Sequence, residues 1–187
     1  MMSVPVGAVL CGGASRRMGR DKAFVEYDGI AMAVRVAASL SAAGCGTVVA
    51  IGGDAGALNA AGLMCVEDEF PGEGPLGGVI TALRHFPDAP AVMVVACDLP
   101  LLAPATIRTV LASLNGADQE VMVAMAHTGR AEPMCAAWRP TAVAALVSAM
   151  SAGERRLHVA AELVGAVHSA VPIGDLTNVN TTSDLPQ

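Results

Sequence analysis

Val6-Gly7-Ala8-Val9-Leu10-Cys11-Gly12-Gly13 is the stretch that decides how the chain is read. An apolar run this short, stopped by paired glycines, fits a strand buried on both faces. Ala91-Val92-Met93-Val94-Val95-Ala96-Cys97 is a second such run, and Asp98 follows it. Between the two, residues 47–51 are rich in β-branched side chains and end at Gly52-Gly53, while residues 63–67 give a shorter strand. Helices are expected over 31–43, with Gly44 as terminator, and over 55–61. Two more are expected: from about 79 to 85, after a glycine- and proline-rich loop at 70–78, and over 104–114 with Pro104 in the first turn. Strands alternating with helices imply βαβ units on a mostly parallel sheet. Right-handed crossovers then make a three-layer α/β/α sandwich, Rossmann-like, the expected architecture.

The second half is less regular. Residues 120–126 and 134–138 read as strands joined through a turn at His127-Thr128-Gly129-Arg130, residues 141–150 and 154–164 as helices, and residues 167–173 as a last strand. With no internal repeat, low-complexity tract or linker, the 187 residues are read as one domain covering 1–187.

Composition narrows the function. Apolar residues make up 53% of the chain and aromatics 3%, so the core must be built from aliphatic side chains and Met, of which there are ten. Mean hydropathy is positive, yet no apolar run reaches the roughly 18 residues of a spanning helix. The opening Met1-Met2-Ser3-Val4-Pro5 lacks a basic start and a cleavage site. A cytoplasmic protein is expected, with no membrane association. A net charge of −6 argues against a nucleic-acid partner. Five cysteines without a CxxC pair, three of them (Cys11, Cys97, Cys135) in apolar runs, read as reduced packing thiols in preference to a disulfide or zinc site. His85, His127, His158 and His168 have no ligand spacing and suit surface or helix-end positions.

In open α/β sheets ligands bind beyond the carboxyl ends of the strands. Three segments qualify: Gly12-Gly13-Ala14-Ser15-Arg16-Arg17-Met18-Gly19-Arg20-Asp21-Lys22; Asp68 with Pro71-Gly72-Glu73-Gly74-Pro75-Leu76-Gly77-Gly78; and Asp98-Leu99-Pro100-Leu101. Glycines let backbone N–H groups face an anion, and Arg16, Arg17 and Lys22 can neutralise a triphosphate and a departing pyrophosphate. The spacing matches neither G-x-x-x-x-G-K-[ST] nor G-x-G-x-x-G, so a P-loop kinase and a dehydrogenase are disfavoured. The same residues also suit a plain glycine turn with surface cations. A carboxylate at the end of an apolar strand must bind a cation or cap a helix. Asp98 therefore reads either as the protein's share of a Mg²⁺ site, the rest being substrate phosphate, or as a cap for the helix at Pro104.

Leu10-Cys11-Gly12-Gly13-Ala14-Ser15-Arg16-Arg17-Met18-Gly19-Arg20-Asp21-Lys22 resembles the signature L-x-G-G-x-S-x-R-M-G-x-D-K of the molybdenum cofactor guanylyltransferases, the MobA family of the sugar-nucleotide transferase-like fold. Four further blocks resemble that family in order: Asp68 with 74–78, Cys97-Asp98-Leu99-Pro100-Leu101, Ala152-Gly153-Glu154-Arg155-Arg156, and Asn178-Val179-Asn180-Thr181. The resemblance implies that GTP is condensed with the molybdopterin form of the molybdenum cofactor to give molybdopterin guanine dinucleotide and pyrophosphate. It implies that Leu10, Cys11, Gly12 and Gly13 contact the nucleotide, that Lys22 binds phosphate and acts with Arg17 and Asp98 in catalysis, that Asp68 holds the nucleotide, and that Asp98 carries Mg²⁺. Arg156, with Arg155, and Asn178 and Asn180 would serve the molybdopterin side. On their own residues these last read equally as a solvated helix face and a turn. Glu132-Pro133 reads either as part of the acceptor pocket or as a turn. Contact with molybdoenzymes or cofactor-delivery proteins is a further implication.

One departure stands out. The family often has Asn at the end of the second strand, where this chain has Gly52-Gly53-Asp54; the Gly52 backbone or the Asp54 side chain would substitute. Gly12, where the sister cytidylyltransferases tend to have Ala, and the Gly74-Pro75-Leu76 block favour guanine. A cytidylyl or sugar-phosphate transferase of the same fold, and a nucleotide-binding module without turnover, are the rival readings.

Overall fold

The computed structural model describes residues 4–12 and 22–179. Nine strands run in chain order: β1 Val6–Leu10, β2 Glu26–Tyr27, β3 Ile30–Ala31, β4 Val48–Ile51, β5 Cys65–Val66, β6 Val92–Ala96, β7 Val123–His127, β8 Ala131–Trp138 and β9 Ala166–Ala170. Six α-helices accompany them: α1 Met32–Ala42, α2 Ala55–Ala60, α3 Pro75–His85, α4 Pro104–Gly116, α5 Val143–Ser151 and α6 Leu157–Leu163. Seven strands form one sheet in the order β5-β4-β1-β6-β8-β7-β9, and β2 and β3 form a separate hairpin. Within the large sheet only β8 runs antiparallel to its neighbours. The other six strands therefore end at the same edge.

The central strands are apolar on both sides because both sides are covered. Val9, Met93 and Val95 face a core completed by α1, α4 and Leu58 of α2. Their neighbours Ala8, Leu10, Val92 and Val94 face a second core made with α3, α5 and α6. This alternation is the period-2 geometry of a strand, and it produces the three layers expected. Met32, Met93 and Met125 are fully buried, so methionine does serve as core filler.

Several boundaries differ from the sequence reading, each for a local reason. Helix α3 begins at Pro75, a full turn before the expected start, with Gly74 at φ 72 as its N-cap. Gly77 and Gly78 lie inside this helix because neighbours press on them. A Cβ on Gly77 would meet Phe70 Cβ at 2.8 Å, and one on Gly78 would meet Leu10 Cδ2 at 3.0 Å. The hairpin β2–β3 was not anticipated, although Asp28-Gly29 at its tip, both with positive φ, is a turn signal that the sequence carries. Helix α6 starts only at Leu157, since Gly153 at φ 94 breaks the chain after α5. Strand β9 stops at Ala170, ahead of Pro172. Among the described residues no helix is long and apolar enough to cross a membrane.

Candidate active site

Register sets the floor of the site. Leu10 is level with Ile51 on one side and Ala96 on the other, and Ile51 is level with Val66. Gly12, Asp68 and Asp98 each stand two residues beyond these level positions. The ladder continues past the strands, with Cys97 N donating to Leu10 O at 3.2 Å, Cys11 N to Ile51 O at 3.0 Å and Gly52 N to Val66 O at 2.9 Å. Three residues far apart in sequence thus share one row at the carboxyl edge.

At the centre, Lys22 Nζ meets Asp98 Oδ2 at 2.5 Å, with both side chains largely withdrawn from solvent. Asn178 Nδ2 donates to the same oxygen at 2.9 Å. The other oxygen, Oδ1, is buried and has no hydrogen-bond partner among the described residues. A buried acceptor left open at the end of a strand fits a hard cation. No cluster of three or more His, Cys, Asp or Glu able to hold a metal occurs among the described residues. The capping alternative for Asp98 is overturned: the N-cap of α4 is Ala103, which makes no side-chain cap bond.

Asp68 is held by its own neighbourhood. Its Oδ1 accepts from Phe70 N at 3.0 Å and from Thr81 Oγ1 at 3.1 Å, and Thr81 Oγ1 in turn accepts from Glu69 N at 3.1 Å. Thr81, a buried hydroxyl among the apolar side chains of α3, escaped the sequence reading; its polarity on a buried face was the available signal. Asp68 Oδ2 looks toward Gly12, where an added Cβ would lie 3.7 Å from it and from Gly52 Cα. That is ordinary contact, so the protein's own packing does not require glycine at position 12. Gly52 is different. It has φ +68, and a Cβ there would meet Gly12 Cα at 3.1 Å.

Not every expected contact has the expected form. The N–H groups of Cys11 and Gly12 both donate to Ile51 O, and Leu10 pairs within the sheet and packs beneath Gly78. These three residues form the floor, which presents the bare Cα of Gly12; the Cys11 and Gly12 amides, and the Leu10 carbonyl that accepts from Cys97 N, are already engaged. The Asp54 side chain caps α2 by accepting from Ala57 N at 3.0 Å, and the Gly52 N–H donates to Val66 O, so both expected substitutes for the missing Asn are engaged within the protein. Arg155 and Arg156 precede α6 and do not lie on it. Arg155 pairs with Glu73 of the loop before α3. Arg156 pairs with Glu154 at 2.8 Å while its side chain stays 68% exposed. The Arg156 guanidinium, together with backbone N–H groups of Arg156 and Arg155, holds the Glu154 carboxyl down to about 2. Glu132 accepts from Thr128 Oγ1 and from Arg130 Nε, both at 2.8 Å, at the same edge of the sheet. Gly13, Arg16, Arg17, Arg20 and Asn180 lie outside the described residues.

None of the five cysteines is in a disulfide, and four of the five are buried. Burial pushes the Cys45 thiol up to about 11 and the Cys135 thiol up to about 12, so these two are protonated packing groups with no thiolate nucleophile to offer.

A parallel sheet whose carboxyl edge gathers a glycine floor, a lysine–aspartate pair and an unbonded carboxylate oxygen defines a nucleotidyltransferase of the α/β class. A model of the MobA-like NTP transferase domain matches residues 7–166. The chain belongs to that family. It is 33% identical to a protein of Chloroflexus aggregans described as "Probable molybdenum cofactor guanylyltransferase", over 96% of this chain and 90% of that one. It is 31% identical to the molybdenum cofactor guanylyltransferase of Rhizobium meliloti, over 98% and 89%. The crystal structure of molybdopterin-guanine dinucleotide biosynthesis protein A from Archaeoglobus fulgidus superposes with a TM-score of 0.76 at 26% identity, covering 95% of this chain and 93% of that one.

Proposed function

We propose that the protein transfers GMP from GTP to the molybdopterin form of the molybdenum cofactor, giving molybdopterin guanine dinucleotide and pyrophosphate. The observation that carries this reading is the Lys22–Asp98 contact beside the unbonded Asp98 Oδ1. An ammonium and a cation-ready carboxylate at one point are what a triphosphate needs. The names of the relatives supply the substrates.

The chemistry asks little of side-chain acids and bases. A phosphate oxygen of molybdopterin attacks the α-phosphorus of GTP, and the bond from that phosphorus to the oxygen bridging to the β-phosphate breaks. The nucleophile is already anionic near neutral pH, so it needs no strong base. Charge grows on the leaving pyrophosphate, where fixed cationic groups lower the barrier. Lys22 would contact phosphate oxygens, and Arg17, five residues earlier in the sequence, would share that task. Asp98 would hold Mg²⁺, which when bound supplies Lewis-acid neutralisation of the phosphates. Asp68 and the floor at Leu10, Cys11 and Gly12 would seat the nucleotide, with Gly13 next in sequence. Arg156 and Asn180 would face the molybdopterin side.

Pyrophosphate release measured with GTP, CTP and ATP, each with and without molybdopterin, tests the proposal. Release with GTP only when molybdopterin is present is expected. A preference for CTP would overturn the guanylyl assignment, and nucleotide binding with no release under any combination would identify a module without turnover.

A further inference from the structure

The chain after β9 returns to the centre of the sheet as a strap, residues 171–179. Val171 N donates to His127 O at 3.1 Å at the end of β7. A short 3-10 turn, Ile173–Leu176, follows Pro172. The Asp175 carboxylate accepts from Thr106 Oγ1 there. Thr106 is a buried hydroxyl in the first turn of α4. Ala103 leaves that helix without a side-chain cap, and a carboxylate at an uncapped helix N-terminus is favoured by the helix dipole. Leu176 packs on the core, Val179 is fully buried, and Val179 N donates to Asp98 O at 3.0 Å. Between these anchors Asn178 Nδ2 donates to Asp98 Oδ2. A carboxylate only accepts, so the Asn178 amide must present its nitrogen to Asp98.

We propose that this strap is a positioning device for Asp98. Asp175, held on Thr106, fixes the strap, and Asn178 uses it to grip one oxygen of Asp98 so that Oδ1 alone is left for the cation. Asn178 is thereby a positioning residue and not a contact to molybdopterin, and Asp175 and Thr106 act through it from outside the site. The inference rests on the reading of Asp98 as the cation ligand. Groups that orient a metal-binding carboxylate typically change metal affinity 10- to 100-fold when removed.

Full-length Asn178→Ala, Asp175→Ala and Asp175→Asn variants test it by three measurements. These are Mn²⁺ binding in the presence of GTP, hydrogen exchange of the Val179 amide without metal, and KM for molybdopterin. Asn178→Ala and Asp175→Ala should each weaken Mn²⁺ binding about 10-fold, with the double variant no weaker than Asn178→Ala alone, since both act through one contact. Val179 exchange should quicken in Asp175→Ala but not in Asp175→Asn, whose amide oxygen still accepts from Thr106. Unchanged Mn²⁺ affinity in Asn178→Ala together with a raised KM for molybdopterin would overturn the proposal, as would unchanged Val179 protection in Asp175→Ala. Asp98→Ala separates this from the reading beneath it. If that variant binds Mn²⁺ as well as the unaltered protein, the cation site itself is wrong; if it does not, while both alanine variants of the strap bind normally, only the positioning role fails.

Discussion

The nucleotide side and the acceptor side of this site are built by different means. Gly12, Asp68 and Asp98 each follow a strand by two residues, and the hydrogen-bond ladder of the sheet fixes their relative level. Arg156, on the acceptor side, sits in a turn and is positioned by a side chain, Glu154; the strap that brings Asn178 to Asp98 is likewise held by a side-chain contact, Asp175 on Thr106. A position set by a ladder survives substitution of any one neighbour, whereas a position set by a single side-chain contact does not. The nucleotide side should therefore resist distant changes, those in the strap that grips Asp98 excepted, and respond steeply to its own residues, and the acceptor side should be adjustable by small ones.

The sharpest way to break that contrast is Asp98→Ala. It removes the carboxylate that the Lys22 ammonium and the Asn178 amide both contact. Turnover should fall about 10²- to 10³-fold, the usual cost of removing one preorganised charge from a transition state, while GTP affinity falls much less. Steady-state rates and GTP titration on the same preparation check this; a modest rate loss with collapsed GTP binding would show that Asp98 serves binding more than the reaction.

The two glycines of the floor give the next test. Gly52 needs its left-handed backbone and lies against Gly12, so Gly52→Ala should lower stability by about 1–3 kcal/mol, read from denaturant unfolding. Gly12→Ala meets only ordinary contacts, so it should melt with the unaltered protein yet raise KM for GTP, by about 10-fold if the added methyl displaces one good contact worth about 1.4 kcal/mol. Equal melting behaviour of the two variants would erase the distinction between a glycine kept for the fold and one that leaves room for a ligand.

On the acceptor side, Arg156→Ala should raise KM for molybdopterin while leaving KM for GTP and the melting temperature unchanged, because the guanidinium is solvent-exposed and touches only Glu154. A matching change in both KM values would place Arg156 nearer the nucleotide. The smallest effect concerns pH. The folded value of Glu154, about 2, lies below its ordinary 4.5, so its contribution to the turn is complete above that ordinary value and is lost as pH falls through about 2. A carboxyl resonance titrating near 2 in the unaltered protein, and moving back toward 4.5 in Arg156→Ala, checks this.

Much of this was written in the chain itself. The apolar runs at β1 and β6, each ended by glycines or an aspartate, gave the parallel sheet and the residues at its carboxyl edge, because a strand buried on both faces leaves its mark in consecutive residues. Glycine misled where its reason was not local. Gly77 and Gly78 look like a loop, yet they are helical, since what requires them small is Phe70 and Leu10 pressing on α3. The acceptor side was legible only through family blocks, because an arginine or asparagine has no periodicity to betray its partner.

The sequence by itself determined the layers, the order of strand and helix, and the identity of the charged groups at the strand ends, since all of these follow from hydrophobic period and turn chemistry within about ten neighbouring residues. Only the tertiary structure decided that Lys22 and Asn178 converge on one oxygen of Asp98 across separations of 76 and 80 residues, and that Asp175 rests on Thr106 across 69. Such contacts depend on how strands are ordered and how far a returning segment reaches across the sheet, and no local pattern in the chain encodes either.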